Sequence, residues 1–243
     1  MAHKIALAGN PNTGKSTLFN LLTGLKQHTG NWPGKTVLRA EGELTTDRHN
    51  YQVIDLPGTY SLYSNSSDEE VARDYIIFEK PDITLVVVDA TSLERNLNLA
   101  LQVMEMTSNV ILCVNLIDEA RRKGITVDKE TLSHNLGIPV VLLSAREKIG
   151  ILQLLKTIDL MTDGKIETNP YQISYDSEVE SKIKSMEPKI RAIFGDSLPA
   201  RWVALRLIDG DDNLVDVLKS YIENPKSVKQ DHYVTGGGCC RGA

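Results

Sequence analysis

The sequence is short of the features that mark a disulfide-built, membrane-spanning or nucleic-acid-binding chain. Only three cysteines occur in 243 residues. Cys113 sits inside an apolar strand pattern, and Cys239 and Cys240 are neighbours in a glycine-rich tail, so no disulfide framework is implied. Apolar runs stay strand-sized, as in "ITLVVV", well below the roughly 18 residues that a spanning helix needs. The start, "MAHKIALAGN", has too short an apolar segment for a signal peptide and runs straight into a glycine motif. Positive charge is in deficit, with 27 Lys and Arg against 32 Asp and Glu for a formal net charge of −5. Nucleic-acid-binding domains usually carry a basic patch, so no nucleic-acid partner is expected. His3, His28, His49, His134 and His232 are scattered without the spacing of metal ligands. A soluble, cytoplasmic chain is the expectation.

What is present is ordinary for a chain that buries a core, with 41% hydrophobic and 24% charged residues. The first 165 residues alternate strand-like and helix-like patterns, the sign of a mostly parallel sheet covered by helices on both faces. Strands are expected over 4–9, around "TVLRAEGEL" and "YQVIDLPG", and over 82–90, 109–116 and 139–145. Helices are expected over 16–24, 68–80, 93–106, 128–137 and 150–161. That gives about six strands and five helices. After residue 165 the texture becomes helical only. Residues 170–225 read as a small all-α subdomain, too small to hold a large core alone and therefore docked on the first unit. Pro188 should kink its first helix or start a new turn. From 226 to 243 the chain reads as a flexible end or an expression remnant.

Four short motifs carry chemistry. "GNPNTGKST" (9–17) follows a strand and opens a helix, the context that makes G-x-x-x-x-G-K-[ST] a phosphate-binding loop. Gly9 and Gly14 let the backbone wrap a polyphosphate with Asn10 and Pro11 between them, and the amides from Asn12 through Thr13 to Thr17 point at it. Lys15 brings a charge to the outer phosphates, and the Ser16 hydroxyl can ligate Mg²⁺. "DLPG" offers Asp55 in the second shell of that magnesium and the Gly58 amide to a γ-phosphate. "NLID" offers Asn115 to the purine edge and Asp118 to the N1 and N2 hydrogens of guanine, a donor pair that adenine lacks. "SAR" (Ser144, Ala145, Arg146) offers the Ala145 amide to guanine O6. Each motif ends a strand, where open α/β sheets bind ligands. Together they point to a Ras-like guanine-nucleotide fold. Leu116 stands where a lysine usually covers the base, so weaker binding and faster release are expected. "HTGNWPGKTV" (28–37) lies at the first switch. Within it Gly34, Lys35 and Thr36 are nucleotide-side candidates, and Thr36 offers its hydroxyl to Mg²⁺ and its amide to the γ-phosphate. Trp32 reads either as part of that switch or as a loop anchor tucked against the body. Glu69 and Glu70 open a helix, where dipole and capping roles suffice.

Thr59 follows "DLPG" at a place where many GTPases carry a water-orienting glutamine. The set "GNPNTGKSTLFNLLTG", "NWPGKTV", "DLPGTYSL", "VVDATSLERNL" and "NLID" resembles the cytosolic G-protein part of the ferrous iron transport protein B (FeoB) family over residues 3–165. "RWVALRLIDGD" is similar to that family's helical spacer. The resemblance implies a slow GTPase that regulates ferrous-iron uptake on the cytoplasmic face of a bacterial inner membrane. It implies a membrane-spanning permease part in the same full-length protein and small cytosolic Feo proteins as further partners. It also implies activation by K⁺, held by Asn12 with phosphate oxygens and carbonyls near 31–34, so that Asn12, Lys15, Thr36 and Gly58 form the catalytic set. A helical spacer that favours the GDP-bound form is a further implication. Two other readings stay open: a binding switch with negligible turnover, and a ribosome- or RNA-associated GTPase. The acidic helical tail supplies no basic module for the latter.

Overall fold

The computed structural model describes residues 2–24, 27–32, 35–63 and 66–223. Gly34 and the tail from 226 onward, with Cys239 and Cys240, lie outside the described residues. Among those described, seven strands form one sheet in the order β2-β3-β4-β1-β5-β6-β7. They are β1 (His3–Gly9), β2 (Gln27–Asn31), β3 (Leu38–Thr45), β4 (Asn50–Asp55), β5 (Ile83–Asp89), β6 (Val110–Asn115) and β7 (Val140–Leu142). β1 runs parallel to β4 and β5, and β5, β6 and β7 continue parallel. Only the β2–β3 and β3–β4 pairings are antiparallel, so β3 alone runs against the other strands. The helices are α1 (Lys15–Thr23), α2 (Ser67–Asp74), α3 (Leu93–Met106), α4 (Ile117–Arg122), α5 (Lys129–Leu136), α6 (Ile151–Thr162), α7 (Ser177–Phe194), α8 (Ala200–Asp209) and α9 (Asp212–Glu223).

Strands β1, β5 and β6 are apolar on both faces because both are covered, which is why they read as runs rather than alternations. Ile5, Leu7, Val53, Leu85, Ile111 and Cys113 face α1 and α6, through Leu18, Phe19, Leu154 and Ile158. Ala6, Ala8, Ile54, Val86 and Leu112 face the other way, into a cluster with Ile76 and Leu99. The same cluster takes in Ile183, Trp202, Val203 and Leu214 from α7, α8 and α9. The helical segment therefore docks on the sheet unit by sharing its core.

Four features depart from the sequence reading. The sheet has seven strands, because Gln27–Asn31 pairs antiparallel with β3 where an open switch loop was expected. Helix α4 was missed: its six residues are too few for a periodic signal. The helix expected over 68–80 changes character after Asp74 into a π-helical turn, Tyr75–Glu79, whose residues Tyr75 to Phe78 are all buried. Four consecutive buried residues exceed one helical stripe, and here they are enclosed between the sheet and the helical segment. Finally, α7 runs on as one helix through Pro188. Pro188 is exposed, and on that side water can take up the carbonyl that its missing N–H leaves unbonded.

The α7–α8 pair is pinned by a bidentate ion pair. Arg201 donates from Nη1 to Glu180 Oε2 at 2.9 Å and from Nη2 to Oε1 at 2.7 Å, and the Tyr175 amide adds a bond to Oε1 at 3.1 Å. The Arg201 guanidinium, then the Tyr175 amide, hold the Glu180 carboxyl down to about 2 from its usual 4.5. A depressed carboxylate adds stability that is complete above its unfolded value and lost as pH falls through the folded one. Glu180→Gln should therefore flatten the pH dependence of urea midpoints between about 4.5 and 2 relative to the parent. Identical acid limbs would show that the pair contributes nothing.

Candidate functional site

The carboxyl ends of the parallel strands β1, β4, β6 and β7 lie side by side, and the four motifs follow them. The loop after β1 is shaped by two left-handed residues, Asn12 (φ 65) and Gly14 (φ 79). Only glycine suits the second of these. A Cβ at Gly14 would overlap the Asn115 side-chain amide, and one at Gly9 would lie 2.6 Å from the Val87 carbonyl oxygen.

Asn115, 1% exposed, is the brace of the site. Its Nδ2 donates to the Thr13 carbonyl at 2.9 Å, and its Oδ1 accepts from the Ala145 amide at 3.0 Å. One side chain thus ties the loop after β1 to the loop after β7. Leu116 adopts φ 63, and its Cδ2 comes within 3.9 Å of where a Gly14 Cβ would stand. It packs as an apolar cover on the loop without the charge of a lysine. Ser144 is fully buried and bridges to Ile149, while Arg146 is exposed.

Lys15 is 8% exposed, and its Nζ donates to Asp55 Oδ1 and, at 2.6 Å, to the Leu56 carbonyl. Burial pushes the Asp55 carboxyl up, and the Lys15 ammonium pulls it back by charge and hydrogen bond. Gly58 lies against the loop, with Pro11 Cα 3.6 Å from where its Cβ would be. Thr59 is buried and donates its amide to the Gly9 carbonyl at 3.3 Å. Ser16 and Thr17 are exposed at the start of α1, and Thr36 is exposed just before β3. The hydroxyls of Ser16 and Thr36 and the carboxylate of Asp55 are hard oxygen donors of the kind Mg²⁺ takes. The Asn12 side chain is exposed as well, and its amide oxygen suits an alkali cation.

Two buried acceptors at the site, Asn10 Oδ1 and Asp118 Oδ1, have no hydrogen-bond partner. The Asp118 side chain is 8% exposed, and its other oxygen accepts from Arg122 Nη2 at 3.0 Å. The neighbouring Ser144 hydroxyl, more than Arg122, holds the Asp118 carboxyl below the usual carboxylate range. The Ser144 hydroxyl is a neighbouring donor, and a ligand offering N–H groups would supply the well-formed hydrogen bonds that buried Oδ1 lacks.

Residues 3–158 match the family described as ferrous iron transport protein B, and residues 175–232 match the one described as the FeoB cytosolic helical domain. The chain belongs to the FeoB family. A Fe(2+) transporter FeoB of Methanocaldococcus jannaschii is 44% identical over 227 residues, 90% of this chain and 32% of the relative. The cytosolic domain of the T. maritima FeoB iron transporter in apo form superposes with a TM-score of 0.82 at 38% identity, over 90% of this chain and 86% of that one. The same domain in GDP form I gives 0.81 at 38% identity, over 90% and 85%. This chain spans between 26% and 32% of the length of the first curated relatives it matches. Its fold is a P-loop GTPase domain followed by the family's helical domain. Among the described residues no helix is long and apolar enough to cross a membrane, and no group of three or more His, Cys, Asp or Glu side chains converges as metal ligands.

Some contacts here were not legible from motifs. Trp32 is 4% exposed and meets Tyr75 edge-on at 5.5 Å, which makes it an anchor. Lys35 pairs with Glu70, so Glu70 does more than serve the helix dipole. Tyr63 lies over Arg206 of α8 at 4.3 Å, and the Leu62 amide donates to Gln102 Oε1 of α3 at 2.7 Å. Their only sequence signal is a set of aromatic and charged residues in otherwise unpatterned loops.

Removing the brace tests this geometry without any ligand. Asn115→Ala leaves the Thr13 carbonyl and the Ala145 amide unpaired, which should cost about 2–4 kcal/mol in urea unfolding. A loss below about 0.5 kcal/mol would show that the loops are held otherwise.

Proposed function

We propose that this chain binds GTP and hydrolyses it slowly, with Mg²⁺ as cofactor and K⁺ as activator. In the full-length protein it regulates ferrous-iron uptake by a membrane-spanning permease part, from the cytoplasmic face of the bacterial inner membrane, with small cytosolic Feo proteins as further partners. The G domain is taken as 1–165 and the spacer that biases the GDP form as 170–225. The observation that carries the reading is the unpartnered, buried Asp118 Oδ1 at the end of β6. A carboxylate there can accept from the N1–H and N2–H₂ of guanine, a donor pair that adenine lacks. GDP is bound by the T. maritima relative in one of its crystal forms, which supports the choice of nucleotide.

The residues divide the work. Loop amides from Asn12 to Thr17 and the Lys15 ammonium hold the outer phosphates. That recruitment needs Lys15 to exchange its present partners, Asp55 and the Leu56 carbonyl. Asp55, so released, is free to orient water bound to the metal. Ser16 and Thr36 would hold Mg²⁺, which offsets charge on the β- and γ-phosphate oxygens. Asn12 would hold K⁺, which supplies positive charge of the kind an arginine finger brings elsewhere. The Thr36 and Gly58 amides read the terminal phosphate. Thr59 has no carboxamide and is bound to Gly9 through its backbone, so water positioning falls to the ordered first switch.

Four measurements test this. In calorimetry GTP should bind at least 100-fold tighter than ATP, and Asp118→Ala should erase most of that preference; equal affinities for the two nucleotides would defeat the reading. Because Leu116 replaces the usual lysine, GDP should dissociate readily, and a nanomolar dissociation constant would contradict that part. Turnover should be at least tenfold faster in KCl than in NaCl for the parent, and Asn12→Ala should abolish the difference. Equal rates in all four would remove K⁺ from the mechanism. Single-turnover hydrolysis separates the enzyme from a binding switch.

A further inference from the structure

The segment of Thr36 is fastened to α2, the helix that follows the Gly58 loop, by contacts that no hydrolysis motif requires. Lys35, the residue before Thr36, pairs through Nζ with Glu70 Oε2 in the first turn of α2, and the two side chains are 23% and 26% exposed. The α2 start already has its Ser66 cap and the neighbouring Asp68 and Glu69, so the helix end does not need this lysine. A second fastening lies one turn of chain away. The Lys35 amide donates to the Trp32 carbonyl at 3.0 Å, and the Trp32 amide donates to the Val37 carbonyl at 2.8 Å. Trp32 in turn packs edge-on against Tyr75, where α2 passes into the π-helical turn, with the Arg39 guanidinium 4.9 Å over its ring. One short stretch of chain is thus held at two points of a single helical segment, residues 70 and 75. Three-quarters buried, the ion pair is screened by salt less than a surface pair is.

We propose that Lys35 and Glu70 form a latch that makes the first switch and α2 one mechanical unit, with Trp32 on Tyr75 as its pivot. Lys35 is then a positioning residue: it sets where Thr36 stands relative to α2, and it carries a shift of Thr36 directly to that helix. This rests on Thr36 and Gly58 being the phosphate sensors proposed above.

The two tryptophans of the chain are Trp32 and Trp202, so a Trp202→Phe background reports on Trp32 alone. With no nucleotide added, Lys35→Met and Glu70→Gln should each raise acrylamide quenching of Trp32, as an opening equilibrium shifted about two- to fivefold would. The charge-swapped double variant, Lys35→Glu with Glu70→Lys, should return quenching toward the parent. On adding a non-hydrolysable GTP analogue with Mg²⁺, the single variants should lose at least half of the parent's emission change, and the swap should recover it. Single variants that match the parent, or a swap no better than either, would overturn the latch. Should Trp202→Phe fail to fold, the same substitutions in the wild-type background are compared by release of fluorescent GDP. Release about two- to fivefold faster in the single variants and restored in the swap is expected, and equal rates overturn the proposal. Quenching needs no nucleotide, so a failed latch and a failed GTP reading give different results.

Discussion

A lysine ammonium that is nine-tenths buried must have oxygen partners, because an unpaired charge at that depth is far costlier than any gain from packing its stem. Lys15 meets this constraint with the Asp55 carboxylate and the Leu56 carbonyl, and much of the site follows from it. The end of β4 is drawn against the loop after β1. Burial pushes the Asp55 carboxyl up, and the same ammonium opposes that desolvation by charge and hydrogen bond. A polyphosphate entering the loop competes for Lys15 with two protein oxygens that belong to the second switch. On the proposed function, phosphate binding would be an exchange of partners at Lys15.

The fold supplies the precision which that exchange requires. β1 lies between β4 and β5 in the middle of the sheet, so its loop emerges from the most constrained strand. Asn115 then fixes the loop from the side, in the space that the missing Cβ of Gly14 leaves open. The same side chain also holds Ala145, so phosphate and base recognition share a strut. Softening either end should loosen both.

The sequence was most legible where one element carries the signal alone. The phosphate loop, the ends of β4, β6 and β7, and the helices starting at Leu93, Lys129 and Ile151 follow from local spacing and caps, because short-range sterics and hydrogen bonds decide them. β2 was not legible, since "QHTGN" has neither alternation nor β-branched density and is a strand only because β3 offers it an edge. Pro188 does not end the helix, for a related reason. The helix is held by Ile183 and Ile190 in the core, and that anchorage outweighs a local breaker on the solvent side. Lys35–Glu70, Tyr63–Arg206 and Trp32–Tyr75 are pairings across 35 residues or more. No single window contains both partners, and either partner alone looks like an ordinary surface charge or loop aromatic.

Those distant pairings also decide how the helical segment relates to the site. Arg73 of α2 is 1% exposed and bonds Asp74 through Nε at 2.8 Å, and its Nη1 lies 3.5 Å from Asp211 Oδ2 at the start of α9. Breaking a buried pair by moving one partner away leaves a desolvated charge and costs several kcal/mol, about 3–5 in comparable cases. Sliding a tyrosine face off Arg206 costs far less, about 1 kcal/mol. Arg73 keeps Asp74 on its own helix, so the tie from α2 to the start of α9 is the 3.5 Å contact with Asp211. The soft contact belongs to the loop and the hard one to the helix. The loop thus meets the helical segment through an aromatic–guanidinium contact, and α2 meets it through a buried charge pair.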